Sequence, residues 1–225
     1  MTKTALNLLV LVVMLAGSAW QSKAASTEPA SDKEIRYTRL SEEDFEIVAR
    51  ELGVEVAAVK AVVLIEAGHS MQGFYAPGVP VVNFDRTIYN KVASKAPDRR
   101  GDKSAKVPKG LSGYALKEWT QLTNARRNNE QGANMGAFWG MFQIGGFNYK
   151  KCGCKDVDEF VDQMCESEFA QLELFAHFIK NAGMVDDLRR KDWKSFSKKY
   201  NGASALRRGY HTRMAKAYAK FKKKK

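Results

Sequence analysis

The sequence predicts a mostly α domain with a small β-hairpin at most, and three observations carry that prediction. From residue 156 to residue 183 apolar side chains recur at steps of three and four, the period of an amphipathic helix. Helix start and stop signals bracket most of the other apolar runs. The one strand-like run, Val79 to Phe84, is short and lies among Gly and Pro turn signals.

Taken in order, the elements begin at "SEEDFEIVARELG". Ser41 and Asp44 form a capping-box-like start, Phe45, Ile47, Val48 and Leu52 fall at helical spacing, and Gly53 ends the segment. Glu55 to Ala67 is a second helix. "TIYNKVAS" supplies one or two helical turns. Residues 96–112 carry clustered charge and few apolar groups, which predicts a mobile loop. "YALKEWTQLTNARR" is one helix and "EQGANMGAFWG" another, followed by the Gly-rich, irregular "GMFQIGGFNYKKCGC". The long pattern over 156–183 is expected to break near Cys165. "DWKSFSKKYNG" and "GYHTRMAKAYAKF" close the chain as helices, and no internal repeat is present.

A length of 225 residues suits one domain with a proper core. Residues 1–24 have the form of a secretory signal peptide: Lys3 as the positive region, an apolar stretch from Ala5 to Ala16, and a small-x-small cleavage site ending at Ala24. Residues 25–40 read as a linker, 41–221 as the folded domain and 222–225 as a basic tail. Export implies a secreted or periplasmic protein without stable membrane insertion once the leader is cut. The net charge of +12 and the pI near 9.6 favour an anionic partner. Nucleic acid is not favoured, because zinc-finger spacing and aromatic ribonucleoprotein motifs are missing. Export permits a disulfide, so either Cys152 or Cys154 pairs with Cys165, or all three are free thiols. They offer no standard metal-ligand spacing, so neither a metal nor another cofactor is expected.

The candidate chemistry starts from Glu66 in "VVLIEAGHS". At about 100° per residue, Val56, Val59, Val63 and Glu66 share an arc of about 80°. The acid therefore points the way the apolar face points. It also lies in the last helical turn, where the macrodipole is negative. Burial and the dipole both favour the protonated form, which a general acid requires. Asp85 in "NFDRT" is a candidate second carboxylate, or alternatively a partner for Arg86 or a cap for the helix beginning at Thr87. "FWGMFQIGGFNY" combines Trp139, Phe142, Phe147 and Tyr149 with Gln143 and Asn148, the aromatic faces and amides that sugar rings use, and with glycines that let the backbone approach a ligand. Tyr200 and Asn201 put a phenol and an amide at a helix end.

In order, "IEA", "NFDR", "WGMFQIGGFNY", "DWKSFSKKYNG" and "GYHTRMAKAYAKF" resemble the bacterial and phage N-acetylmuramidase domain family of endolysin-type lysozymes. The resemblance runs from about Ser41 to Phe221. It implies a lysozyme-like, two-lobed helical domain that cleaves peptidoglycan glycan strands, without cofactor and as a monomer. The family's catalytic glutamate falls on Glu66. The acidic position of its Phe-Glu-Arg-His motif falls on Asp85, where this chain has the shorter Asp, and Thr87 replaces the His. Its Gln and its Tyr-Asn-Gly fall on Gln143 and on Tyr200, Asn201 and Gly202. The implied reaction is hydrolysis between N-acetylmuramic acid and N-acetylglucosamine. A lytic transglycosylase and a non-catalytic wall-binding module are the alternatives.

Overall fold

The computed structural model of the protein describes residues 39–68 and 72–223. The predicted leader and nearly all of the predicted linker lie outside them. Helix α1 (Glu42–Leu52) starts at the expected capping box: Ser41 Oγ accepts from the Asp44 N–H, and an Asp44 oxygen accepts from the Ser41 N–H at 2.7 Å. Helix α2 (Val56–Glu66) runs through the core, with Ala58, Val59, Ala61, Val62 and Val63 fully buried. A two-stranded sheet of β1 (Phe74–Ala76) and β2 (Val79–Pro80) follows, then β3 (Val82–Phe84) and α3 (Arg86–Val92).

Helix α4 (Gly113–Arg126) and the short α5 (Glu130–Met135) lead into β4 (Ala137–Trp139) and β5 (Ile144–Gly145). Strands β3, β4 and β5 form an antiparallel sheet in that order. The sequence pattern placed residues 137–139 in a helix, but α5 stops at Met135 and the chain pairs with β3 instead. The register sets Val82 opposite Trp139 and Asn83 opposite Phe138. Side chains alternate between faces of a strand. Val82 and Trp139 therefore face the core, both 0% exposed, while Asn83 and Phe138 share the other face.

The long helical pattern breaks at Ser167 into α6 (Val157–Glu166) and α7 (Glu168–Asn181), two residues beyond Cys165. Ser167 caps α7 by accepting from the Ala170 N–H. A short α8 (Val185–Arg190), absent from the sequence reading, precedes α9 (Trp193–Asn201) and α10 (Tyr210–Lys222). Its acidic first turn and basic last turn match the helix dipole. Helix α10 packs along α2 and α9. None of the described helices is long and apolar enough to cross a membrane.

One expectation changes, and one open alternative closes. Residues 96–112 contain no helix or strand, as anticipated, yet the segment is pinned. The Arg127 guanidinium donates to Ala105 O, the Asp102 N–H to Arg126 O, and the Glu130 N–H to Arg100 O. The three cysteines are free thiols; Cys152 and Cys154 are buried, and burial raises the Cys165 thiol to about 11.

Buried polar side chains hold the loops in place. Glu168 accepts from the Leu40 and Gly73 N–H groups, and Glu118 from the Phe84 N–H. Gln171 accepts from the Met141 N–H at 2.8 Å and donates to Gly73 O and Met164 O. An unpaired buried polar group costs about 1–3 kcal/mol, so these satisfied contacts fix where the β-strands sit relative to α7.

Candidate active site

Glu66 is the last residue of α2, and it lines a groove of about 570 Å³. The opposite wall comes from the sheet and its Gly-rich turn: Asn83, Phe138, Gln143, Phe147 and Asn148. Tyr200 and Asn201 from the end of α9 line it as well, with Arg208 and Tyr210 from the junction with α10. Helix α9 can deliver its last two residues here because Gly202, at φ +78°, turns the chain directly after Asn201.

The Glu66 carboxyl is half-buried. Burial is the dominant influence and pushes its pKa up from 4.5 to about 7. Three weaker influences favour the ionised form: a hydrogen bond from Asn201 Nδ2 to Glu66 Oε1 at 2.9 Å, and the charges of Arg213 and Arg208. Among the described residues, no other carboxylate lines the groove.

The Gly-rich turn is tightly built. Gln143 sits in the left-handed region at φ 49°, and its side-chain amide donates to Gly140 O at 2.9 Å. A non-glycine residue there costs about 1–3 kcal/mol, and such strain concentrates at ligand-binding sites. At Gly146 a Cβ would lie 2.1 Å from Asn134 O, so only glycine lets the turn approach α5. Tyr200 fastens the turn to the helices. Its hydroxyl donates to Phe142 O at 2.8 Å, and its ring stacks on Phe196. Burial, with Glu66 nearby, pushes its phenol well above the usual value and keeps it a donor.

The structure brings Glu66, Phe142, Gln143, Tyr200 and Asn201 to one groove. Phe142 contributes little surface: it is 1% exposed and stacked on Phe175 at 4.4 Å. Two other sequence candidates lie elsewhere. Trp139 is 0% exposed in the core, with its indole N–H donated to Asn134 O. A helix was expected there; in the strand that forms, the groove-facing position is its neighbour Phe138. Asp85 is the N-cap of α3, where its Oδ1 accepts from the Ile88 N–H at 2.9 Å, and it is not among the residues lining the groove. The geometry thus gives Asp85 the capping role. Asn83, Phe138, Arg208 and Tyr210 were not singled out from the sequence as site residues. Alternation along "VNF" and "AFW" is the signal that finds the first two.

The N-acetylmuramidase family matches residues 55–222 of the chain. Among solved structures, the crystal structure of an endolysin from the Burkholderia phage AP3 superposes with a TM-score of 0.69. It is 32% identical, and the match covers 82% of this chain and 71% of that one. No curated protein sequence matches. The helical fold is lysozyme-like, and the substrate class that the family carries is peptidoglycan. This chain belongs to the N-acetylmuramidase family and is a peptidoglycan-degrading glycoside hydrolase of the lysozyme type.

Proposed function

We propose that the enzyme hydrolyses the β-1,4 bond between N-acetylmuramic acid and N-acetylglucosamine, with Glu66 as the general acid. One observation carries this reading: the groove's carboxyl is held near pKa 7 by burial, so a large fraction is protonated at neutral pH. Glu66 protonates the glycosidic oxygen, and the leaving sugar departs as an alcohol rather than an alkoxide. The carboxylate left behind lies beside the developing oxocarbenium charge and then takes a proton from the attacking water. Asn201 orients the carboxyl through its 2.9 Å hydrogen bond. Phe138 and Phe147 offer apolar faces to sugar rings, while Asn83, Gln143 and Asn148 offer amides to hydroxyl and acetamido groups.

A second reading draws on Glu66 being the lone carboxylate among the described residues that line the groove. If the muramic 6-hydroxyl attacks in place of water, one acid/base residue suffices and the product has an anhydro end. Action outside the cytoplasm is also proposed, supported by the leader-like residues 1–24.

Digestion of purified peptidoglycan by the parent and Glu66→Gln, read by mass, tests these readings. Reducing muramic ends from the parent alone are expected. Undiminished cleavage by Glu66→Gln sinks the mechanism. Products one water lighter establish the second reading, and binding without soluble product points to a wall-binding module.

A further inference from the structure

Arg208 lines the groove that holds Glu66, and Arg213 lies against the ring of its lining residue Tyr210; the proposed acid chemistry uses neither arginine. Arg208 lines the groove and is exposed, and one of its N–H groups donates to Asn201 O at 3.3 Å. Its guanidinium carbon lies 5.1 Å from the centre of the Tyr210 ring, and that of the exposed Arg213 lies 4.4 Å from the same ring. Among the described residues, neither arginine has a carboxylate within 4.0 Å. Both charges favour the ionised form of Glu66, so they oppose the protonated state that catalysis needs. Two cations that form no ion pair among the described residues and work against the neighbouring acid need another reason for their position.

The substrate class supplies one. Peptidoglycan bears its carboxylates on the muramic acid units, either at the lactyl ether of a stripped strand or along the peptide stem. The sugars between them are neutral. An arginine fork matches a carboxylate through two parallel N–H bonds, and stacking on an aromatic ring holds the fork flat and ready. Asn83, Gln143 and Asn148, which also line the groove, are neutral amides suited to hydroxyls and acetamides.

We propose that Arg208 and Arg213, arrayed on Tyr210, form a carboxylate-binding subsite that reads the anionic substituent of muramic acid. The proposal rests on the assignment of this groove as the glycan site. Because only alternate sugars carry the anion, an anion site in the groove fixes which of the two linkages of the strand lies at Glu66.

The test measures kcat and KM on stem-bearing strands and on stem-free strands, each with carboxyls free and with carboxyls coupled to methylamine. The parent is expected to prefer free-acid strands about tenfold, through KM, and to lose that preference as added salt screens the exposed guanidinium groups. In the double variant Arg208→Gln/Arg213→Gln the ratio between free and coupled substrates falls to near one. Arg208→Lys keeps part of it, since it retains charge but not the fork. A preference confined to stem-free strands assigns the lactyl carboxylate, and one confined to stem-bearing strands assigns the stem. A parent with no preference overturns the proposal and needs no variant to do so; a double variant that keeps the preference overturns it too. Glu66→Gln, assayed alongside, separates the two readings: cleavage that survives in it removes the acid assignment while the carboxylate preference is still measured.

Discussion

The two ends of α2 each place a glutamate beside a cavity, and the two acids have opposite fates. Glu55 precedes the first turn and lines a cavity of about 660 Å³, the larger of the two. Lys191 lies 2.6 Å from its Oε1, Lys222 bonds its Oε2, and the Tyr218 hydroxyl donates to it at 2.9 Å. These partners, Lys191 foremost, hold its pKa down at about 2. Glu66 ends the last turn, has a neutral hydrogen-bond partner in Asn201, and is raised to about 7 by burial. A helix N-terminus and paired cations favour a permanent anion, whereas a helix C-terminus and desolvation favour a transferable proton. The larger cavity is therefore not the one with the acid suited to proton transfer; the two glutamates differ in what surrounds them.

The largest expected difference between the two ends is catalytic. Glu66→Gln should lower kcat about a thousandfold, within the range for loss of a general acid, while Glu55→Gln leaves kcat near the parent value. Product mass on purified peptidoglycan measures both, and equal losses would dissolve the contrast.

The second difference is in stability against pH. The folded Glu66 keeps a proton up to about pH 7 that the unfolded chain releases near its ordinary value of 4.5. Stability from this group is therefore lost as pH rises from 4.5 to 7, and the full cost applies above that. Glu66→Gln removes the cost and should gain up to about 3 kcal/mol at pH 8 and little at pH 4. Urea melts at the two pH values read this directly.

The Glu66 setting can also be sharpened from its neighbour. Asn201→Ala removes a bond that favours the ionised carboxyl, so the acid's pKa should rise further. The alkaline limb of the kcat profile then moves to higher pH. An unmoved limb would detach Asn201 from the acid.

Smaller effects are expected where carboxylates serve the fold. Asp85→Ala should cost about 1 kcal/mol through loss of the α3 cap, and Asp85→Asn, which can still cap, much less. Activity should persist in Asp85→Asn; a hundredfold loss of kcat there would restore Asp85 as a second acid. Glu55→Gln should cost about 0.5 kcal/mol at neutral pH, as for an exposed ion pair. Its folded pKa lies below 4.5, so this contribution is present above that value and disappears as pH falls towards 2. Denaturant melts of each variant beside the parent check both.

Where sequence reading succeeded and failed follows from the range of the forces involved. The capping box at Ser41, the helix around Val59 and Val63 and the break before α7 depend on residues a few positions apart, and all were legible. So was the direction of Glu66, because the helical period fixes it. The turn from α5 into β4 was not legible, since Ala137 to Trp139 become a strand only by pairing with Val82 to Phe84 more than fifty residues earlier. That pairing turns Trp139 inward and Phe138 to the groove. The loop over 96–112 looked mobile because its anchors, Arg126, Arg127 and Glu130, lie on or beside other elements.

By itself, the sequence determined a helical domain and a glutamate on the apolar side of a helix end, because both are written in the spacing of neighbours along one chain segment. Only the tertiary structure decided that this acid meets Asn201, 135 residues away, that Asp85 is not among the residues lining the groove, and that Arg208 is. Burial and hydrogen bonding between distant segments set a carboxyl's pKa, and neither exists until those segments pack.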